Sequence, residues 1–292
     1  MGNVQTMGTM FPAECVSQVF NAVRGKSSLA ALCEQIPVAF TGTDLFTFQM
    51  DNEVALIGEG EQKGHGGIAV APAKVVPVKI EYGARVTDEF MTASEEKKLE
   101  ILKAFNEGFA AKAARGLDIM AMHGVNPRSG EASNLIKYYF DKNTTNVVTY
   151  AAASCDDNVD DAVAKIGDYD VTGIAMAKTF ASAMGKLEGP NGAKLYPELK
   201  WGGQPKSVNG VPTSVNSTVS FGTSKDMAIV GDFANMFKWG YAKDVNMTVI
   251  PYGDPDNTGK DLAGHNQVYI RAEAYIGWAI LDENAFARVI TA

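Results

Sequence analysis

The stretch Asn52–Gly67, NEVALIGEGEQKGHGG, sets five glycines among Glu59, Glu61, Lys63 and His65, directly after an alternating apolar segment. Two kinds of chain need so many glycines. A phosphate-binding loop uses them to converge backbone N–H groups on an anion at a helix N-terminus. Here Gln62 and Lys63 push the third glycine to Gly64, which breaks the G-x-G-x-x-G spacing. Ile68–Lys79, IAVAPAKVVPVK, is β-branched and carries two prolines, so no helix follows. Glu59 and Glu61 would also repel a phosphate. The other reading is a hairpin with a glycine tip. Phe46, Phe48 and Met50 alternate with polar neighbours, Val54 and Leu56 continue the pattern, and Val76, Val78 and Ile80 take it up beyond the glycines. A projecting hairpin is marginal by itself in water, so this one is expected to lie on another surface.

Composition narrows the partners. The chain has 292 residues, 46% of them hydrophobic, which suffices for one or two cores. A net charge of -8 argues against gripping nucleic acid, which takes a basic footprint. Cys15, Cys33 and Cys155 form an odd, unclustered set, so neither a disulfide framework nor a zinc site is expected. His65, His123 and His265 are far apart and form no HxxxH or HExxH pattern, so no metal is expected. The longest apolar run, Ala274–Leu281, is too short to span a membrane. No secretion signal opens the chain, and the Met1–Thr6 match to a myristoylation pattern lacks the second signal that stable anchoring takes.

Further along, Pro12 opens a helix with Val16, Val19, Phe20 and Val23 at helical spacing. Ser27 or Ser28 caps another turn. Thr92–Glu95 forms a capping box that starts the longest helix, running to about Met122, roughly 40 Å at 1.5 Å per residue. Leu99, Leu102, Phe105, Phe109, Ala113 and Leu117 make its apolar stripe. Ser94 and Lys97 match S-x-x-K, but a cap and solvation account for them and no K-T-G follows. Asp156 and Asp157 suit the N-terminus of a helix carrying Val159, Val163 and Ile166. Strands are expected in 171–176, 211–219, 227–230 and 247–251. Asp254, Asp256 and Gly259 imitate a calcium loop, yet position twelve is His265 rather than glutamate, which favours a plain surface loop. No nucleophile elbow, kinase loop or acid–base pair is present. Helices and strands alternate without a crossover repeat, so the fold class is α+β.

This order resembles the major capsid proteins of tailed phages, the Hong Kong 97 type, from about Phe11 to Ile290. Gly58–Lys63 followed by Val78–Lys79 and Val86–Phe90 is similar to the family's extended loop and its return. Asp118–Gly124 resembles the end of the spine helix. Leu187–Gly192 with Leu195, then Gly210–Pro212, resemble the axial domain, and Ala228–Phe233 with Glu283–Phe286 complete the order. The resemblance implies an N-terminal arm (1–40), an extended loop (41–82), a peripheral domain with the spine helix (83–150), an axial domain (151–261) and a return strand of the peripheral domain (262–292).

It further implies a structural subunit, not an enzyme, that self-assembles into an icosahedral shell of pentamers and hexamers in the host cytoplasm and resides in the virion. The shell would enclose double-stranded DNA without sequence-specific binding, with no cofactor and no membrane. A separate scaffolding protein is expected, since no charged coiled-coil segment precedes the arm and the chain starts at Met1, together with a portal and a decoration protein. Assembly would act through Gly58, Glu59, Gly60, Glu61, Lys63 and Gly64. Some family members weld subunits by an isopeptide bond between a loop lysine and an asparagine, assisted by a glutamate seven residues after the asparagine; Lys63 lies at the loop tip, and Asn266 and Glu273 have that spacing. An encapsulin-type nanocompartment shares the fold, and a soluble α+β enzyme is the alternative of another class.

Overall fold

A computed structural model describes residues 27–50, 53–87 and 95–292, without the side chains of residues 49, 95–101 and 243–245. The helix expected after Pro12 and the capping residues 92–94 lie outside the described residues.

Helix α1 (Ser28–Leu32) starts where expected, its N-cap Ser27 accepting the Ala30 N–H. Strands β1 (Thr43–Met50) and β2 (Ile68–Val75) form an antiparallel ribbon of their own. Its second strand differs from the expectation. Ile68–Val75, with Pro72 inside it, pairs with β1, whereas Val78 and Ile80 belong to β3 (Val78–Thr87) in another sheet. Pro72 is tolerated because, among the described residues, β2 has one partner only, so a missing N–H on the outer edge breaks no ladder. Pro77 falls in the short link between the two strands. Val54 and Leu56 lie in irregular chain.

The spine helix α2 (Glu95–His123) has 29 residues. Leu102, Phe109, Ala113 and Leu117 are buried as the stripe requires, and Phe105 is half-buried against the same core. Toward its end the stripe widens: Ile119, Met120, Ala121 and Met122 are all buried, so the helix drives into the core. Gly124, at φ 68°, stops it, its N–H bonding the Met120 carbonyl at 3.0 Å.

Next come α3 (Phe140–Asn143), β4 (Val147–Thr149) and α4 (Cys155–Ile166). Ser154 rather than an aspartate is the N-cap of α4; Asp156 and Asp157 occupy its first turn, where they still face the positive end of the dipole. Its buried face is Cys155, Asn158, Ala162 and Ile166, while Val163 is exposed. The remaining elements are β5 (Gly173–Met176), α5 (Lys178–Met184), β6 (Ser207–Val208), β7 (Val211–Val215), β8 (Asp226–Gly231), α6 (Phe233–Met236), β9 (Phe237–Ile250), β10 (Gln267–Ile280) and β11 (Phe286–Ile290). The expected strand at 247–251 is thus the end of a strand of 14 residues.

Two larger sheets result. One has the order β3-β10-β9, all antiparallel; the other is mixed, in the order β4-β11-β8-β5-β7-β6. The segment 262–292 serves both, since β10 is central to the first and β11 lies between β4 and β8 in the second. β9, within 151–261, likewise joins the first sheet. A four-ring cluster sits at the crossing: Phe140 meets Phe286 at 5.0 Å, Phe237 at 5.6 Å and Phe233 at 6.0 Å between centroids. Each of these rings is fully buried, and such pairs add to the area term of a core.

Candidate assembly surface

The β1–β2 ribbon has two unlike faces because side chains alternate along a strand. Leu45 and Ala73 turn toward Val38, Val75 and Ala279, a small cluster that fastens the ribbon's base to the chain. Gly277 makes that approach possible: a Cβ there would stand 2.7 Å from Val75 Cγ1. The opposite face is built by cross-strand pairs Phe46–Pro72, Phe48–Val70 and Met50–Ile68. Nothing among the described residues covers it. Phe46 is 67% exposed, Phe48 60% and Met50 72%, and Ile68 and Val70 are exposed as well. Val54 and Leu56 extend the same apolar run into the loop, fully in solvent. Monomeric proteins seldom leave aromatic and aliphatic side chains contiguous and bare in this way.

The tip is ordered by its own residues. The Glu61 carboxylate accepts the Gly58 N–H at 3.0 Å, and the Glu61 N–H bonds the Gly58 carbonyl at 3.2 Å. Gly60 between them has φ 82°, which only glycine adopts without cost. Glu59, Lys63 and Gly64 are exposed, and a Cβ on Gly64 would meet nothing.

Asn266 and Glu273 lie elsewhere. Asn266 is an exposed residue at φ 51° that ends a short turn ahead of β10. Glu273 lies within β10, seven residues on, which in extended chain is about 23 Å away. The two cannot meet within one subunit. Glu273 instead pairs with Lys79 at 2.8 Å and lies 3.2 Å from Arg271 Nε.

The acidic groups also find protein partners. The calcium-like loop is closed by Arg85 of β3, which donates to Asp254 at 2.6 Å, to Asp256 and to Thr258. Arginine thus supplies the cation, and both carboxyls are held below their usual range: Asp256 by Arg85, and Asp254 by the Thr258 and Gly259 N–H groups acting against desolvation. A second grouping escaped the sequence reading. His123, Asp141 and Asp226 bring one nitrogen and two oxygens within 4.8 Å of one another, although they stand on α2, α3 and β8. Here too an arginine enters, Arg288 Nη2 standing 2.8 Å from Asp226 and 2.9 Å from Asp141. Spacing along the chain carried no sign of this cluster.

Known proteins agree with this architecture. The family model described as the phage capsid family matches residues 8–289. A solved chain of Mycobacterium phage Ogopogo is similar at 30% identity and a TM-score of 0.77, covering 91% of this chain and 92% of its own. One of Gordonia phage Cozz is similar at 22% identity and TM-score 0.75, covering 91% and 87%. A chain titled capsid of empty GTA particle computed with C5 symmetry matches at 16% identity and TM-score 0.67, covering 91% and 90%. No curated protein sequence matches. The chain belongs to the phage capsid family. It is a structural protein of the virion capsid that associates with copies of itself, and its fold is the Hong Kong 97 type expected from the sequence.

Proposed function

We propose that the chain closes an icosahedral shell of pentamers and hexamers around double-stranded DNA, and that the β1–β2 ribbon lies across a neighbouring subunit. The bare face formed by Phe46, Phe48, Met50, Ile68 and Val70 supports this reading most directly. Those residues form a contiguous apolar surface on a strand pair that none of the described residues covers. Burial against a second copy would remove that surface from water, and obligate interfaces of this kind exceed about 2,000 Å² in total. The tip residues Gly58, Glu59, Gly60, Glu61, Lys63 and Gly64 would let one ribbon follow slightly different neighbours. A net charge of -8 suits a wall that contains DNA without adhering to it. The expected domain division serves this reading, with the ribbon reaching a neighbour and the two sheets forming the body. Assembly in the host cytoplasm, aided by a separate scaffolding protein and completed by a portal and a decoration protein, follows the same reading, as does the absence of any enzymatic role.

The Lys63–Asn266 weld would need Glu273 from a different subunit, released from Lys79. The ion pair at 2.8 Å favours a shell held by non-covalent contacts.

Electron microscopy of the purified chain tests the proposal. Closed particles with five-fold vertices are expected, and particles from infected cells should contain nuclease-protected DNA. A monodisperse small species under every condition, with scaffolding protein supplied, would overturn it.

A further inference from the structure

The spine helix ends against four charged side chains from four separate elements. His123 closes α2, Asp141 lies in α3, Asp226 opens β8 and Arg288 is in β11. Arg288 donates to Asp226 Oδ1 through Nε at 3.0 Å and Nη2 at 2.8 Å, and through Nη1 to the Asp141 carbonyl at 2.8 Å. One imidazole nitrogen, Nε2, faces the Thr218 carbonyl at 2.8 Å. A carbonyl only accepts, so Nε2 carries hydrogen. The other nitrogen, Nδ1, faces the Asp141 carboxyl Oδ2 at 2.9 Å. With Nε2 already protonated, that contact needs one more proton, on the ring or on the carboxyl.

Charge counting gives the same answer. Arg288 contributes one positive charge and the two aspartates two negative ones, so the cluster without a further proton carries a net negative charge. Asp226 is fully buried, and His123 and Arg288 nearly so. An uncompensated buried charge is costly. We propose that His123, Asp141, Asp226 and Arg288 form a proton lock: one exchangeable proton, held between His123 and Asp141, makes the cluster neutral and fastens the end of the spine helix to the six-stranded sheet. Releasing it as the pH rises leaves that junction with a buried negative charge and one acceptor facing another.

Several features favour the protonated state. His123 is in the last turn of α2, where the helix dipole stabilises a cation. Burial works against the imidazolium, but the bond to Asp141, the Asp141 charge, the Thr218 carbonyl and the Asp226 charge together leave its pKa above the ordinary value of 6.5. Burial and the neighbouring Asp141 also push Asp226 up while His123 holds Asp141 down, the response of two close carboxyls that share one arginine and call for one proton in the cluster. Asp226 Oδ2 accepts no hydrogen bond and Asp141 Oδ1 has only the Arg288 Nη2 ion pair at 2.9 Å, so the cluster has capacity for a proton and none to spare for a further negative charge. On the helix itself the nearest other buried acid is Asp118, whose partners are Ser27, Ser28, Leu29 and Thr218. Groups whose folded pKa is raised stabilise the fold at low pH and lose that contribution as pH rises through the folded value. For His123 the loss starts near its unfolded value, about 6.5, and grows on the alkaline side.

The test compares the full wild-type chain with Asp141→Asn. The amide can donate to a neutral His123 and leaves Arg288 and Asp226 as a balanced pair, so the variant is neutral with no extra proton. Thermal unfolding is followed from about pH 6 to about pH 9 at constant ionic strength. The wild-type midpoint should fall by several degrees relative to the variant across that range. Parallel profiles would overturn the lock. Should the variant fail to fold, hydrogen–deuterium exchange at the imidazole C2 of wild-type protein, read by mass spectrometry, titrates His123 directly. A midpoint above 6.5 supports the proposal, and one at or below 6.5 overturns it.

Discussion

The carboxylate of Asp118 accepts the backbone N–H of Ser28 at 2.8 Å, joining positions 90 residues apart. It also accepts the Leu29 N–H at 3.1 Å and the hydroxyls of Ser27 and Thr218, the latter at 2.7 Å. One buried acid on the spine helix therefore caps α1 and holds the chain near Thr218. Replacing it with alanine strands two N–H groups and two hydroxyls without an acceptor. Asp118→Ala is expected to cost about 3 kcal/mol or more, and Asp118→Asn, which keeps an acceptor and the volume, about half of that. Denaturant unfolding of both variants checks the order; equal losses would show that volume rather than hydrogen bonding matters there.

Phe109 is buried in the middle of the spine helix, while Lys103 on the same helix is exposed. Phe109→Asp places an unpaired charge in the core and should cost about 4 kcal/mol, enough to give insoluble protein. Lys103→Asp should stay within about 0.5 kcal/mol. The soluble fraction and melting midpoint of each variant read the difference.

The spine helix was legible because its stripe repeats at helical spacing over about five turns, and the glycine tip because glycine has few other uses in such a run. Pro72 misled: its place on an unpaired edge depends on strand order, which local sequence does not contain. The extent of β9 was likewise hidden, since Lys238 and Lys243 interrupt its pattern while the ladder to β10 holds it extended. Asp118 could be placed at the end of a helix, yet its role is decided by Ser27 and Thr218, 91 and 100 positions away. The His123 cluster was invisible for the same reason. Charged residues scattered over four elements look solvated until the fold brings them together.

Arg85 links β3 to the 253–262 loop through Asp254 and Asp256. Arg85→Met removes the cation these two carboxylates share and leaves them repelling each other. The loop should become a site of limited proteolysis, with cleavage mapped between residues 253 and 262, whereas the wild type stays intact under the same digestion. Added calcium should not protect the wild type, since its carboxylates are already engaged.

Mature particles boiled in detergent should run as a single band near 31.2 kDa. Glu273 is committed to Lys79 and Arg271, and Asn266 is about 23 Å away along the strand. A ladder of covalent multimers that disappears in Lys63→Arg would show instead that a neighbour's Glu273 leaves its ion pair and serves Asn266.

The ribbon separates folding from assembly. Phe46 and Phe48 are exposed in the isolated chain, so Phe46→Ser with Phe48→Ser should leave subunit stability within about 0.5 kcal/mol for each site. In a shell the same side chains would be central anchors, and losing each should remove about 2 kcal/mol or more from the contact. Repeated over every subunit, that loss stops closure. The double variant is expected as a folded, soluble subunit with wild-type unfolding behaviour and no closed particles by sedimentation and microscopy. Deleting residues 58–67 removes the tip but spares the strands and should fail at the same step. Normal particles from the double variant would mean that the apolar face of β1 and β2 is not what neighbouring subunits cover.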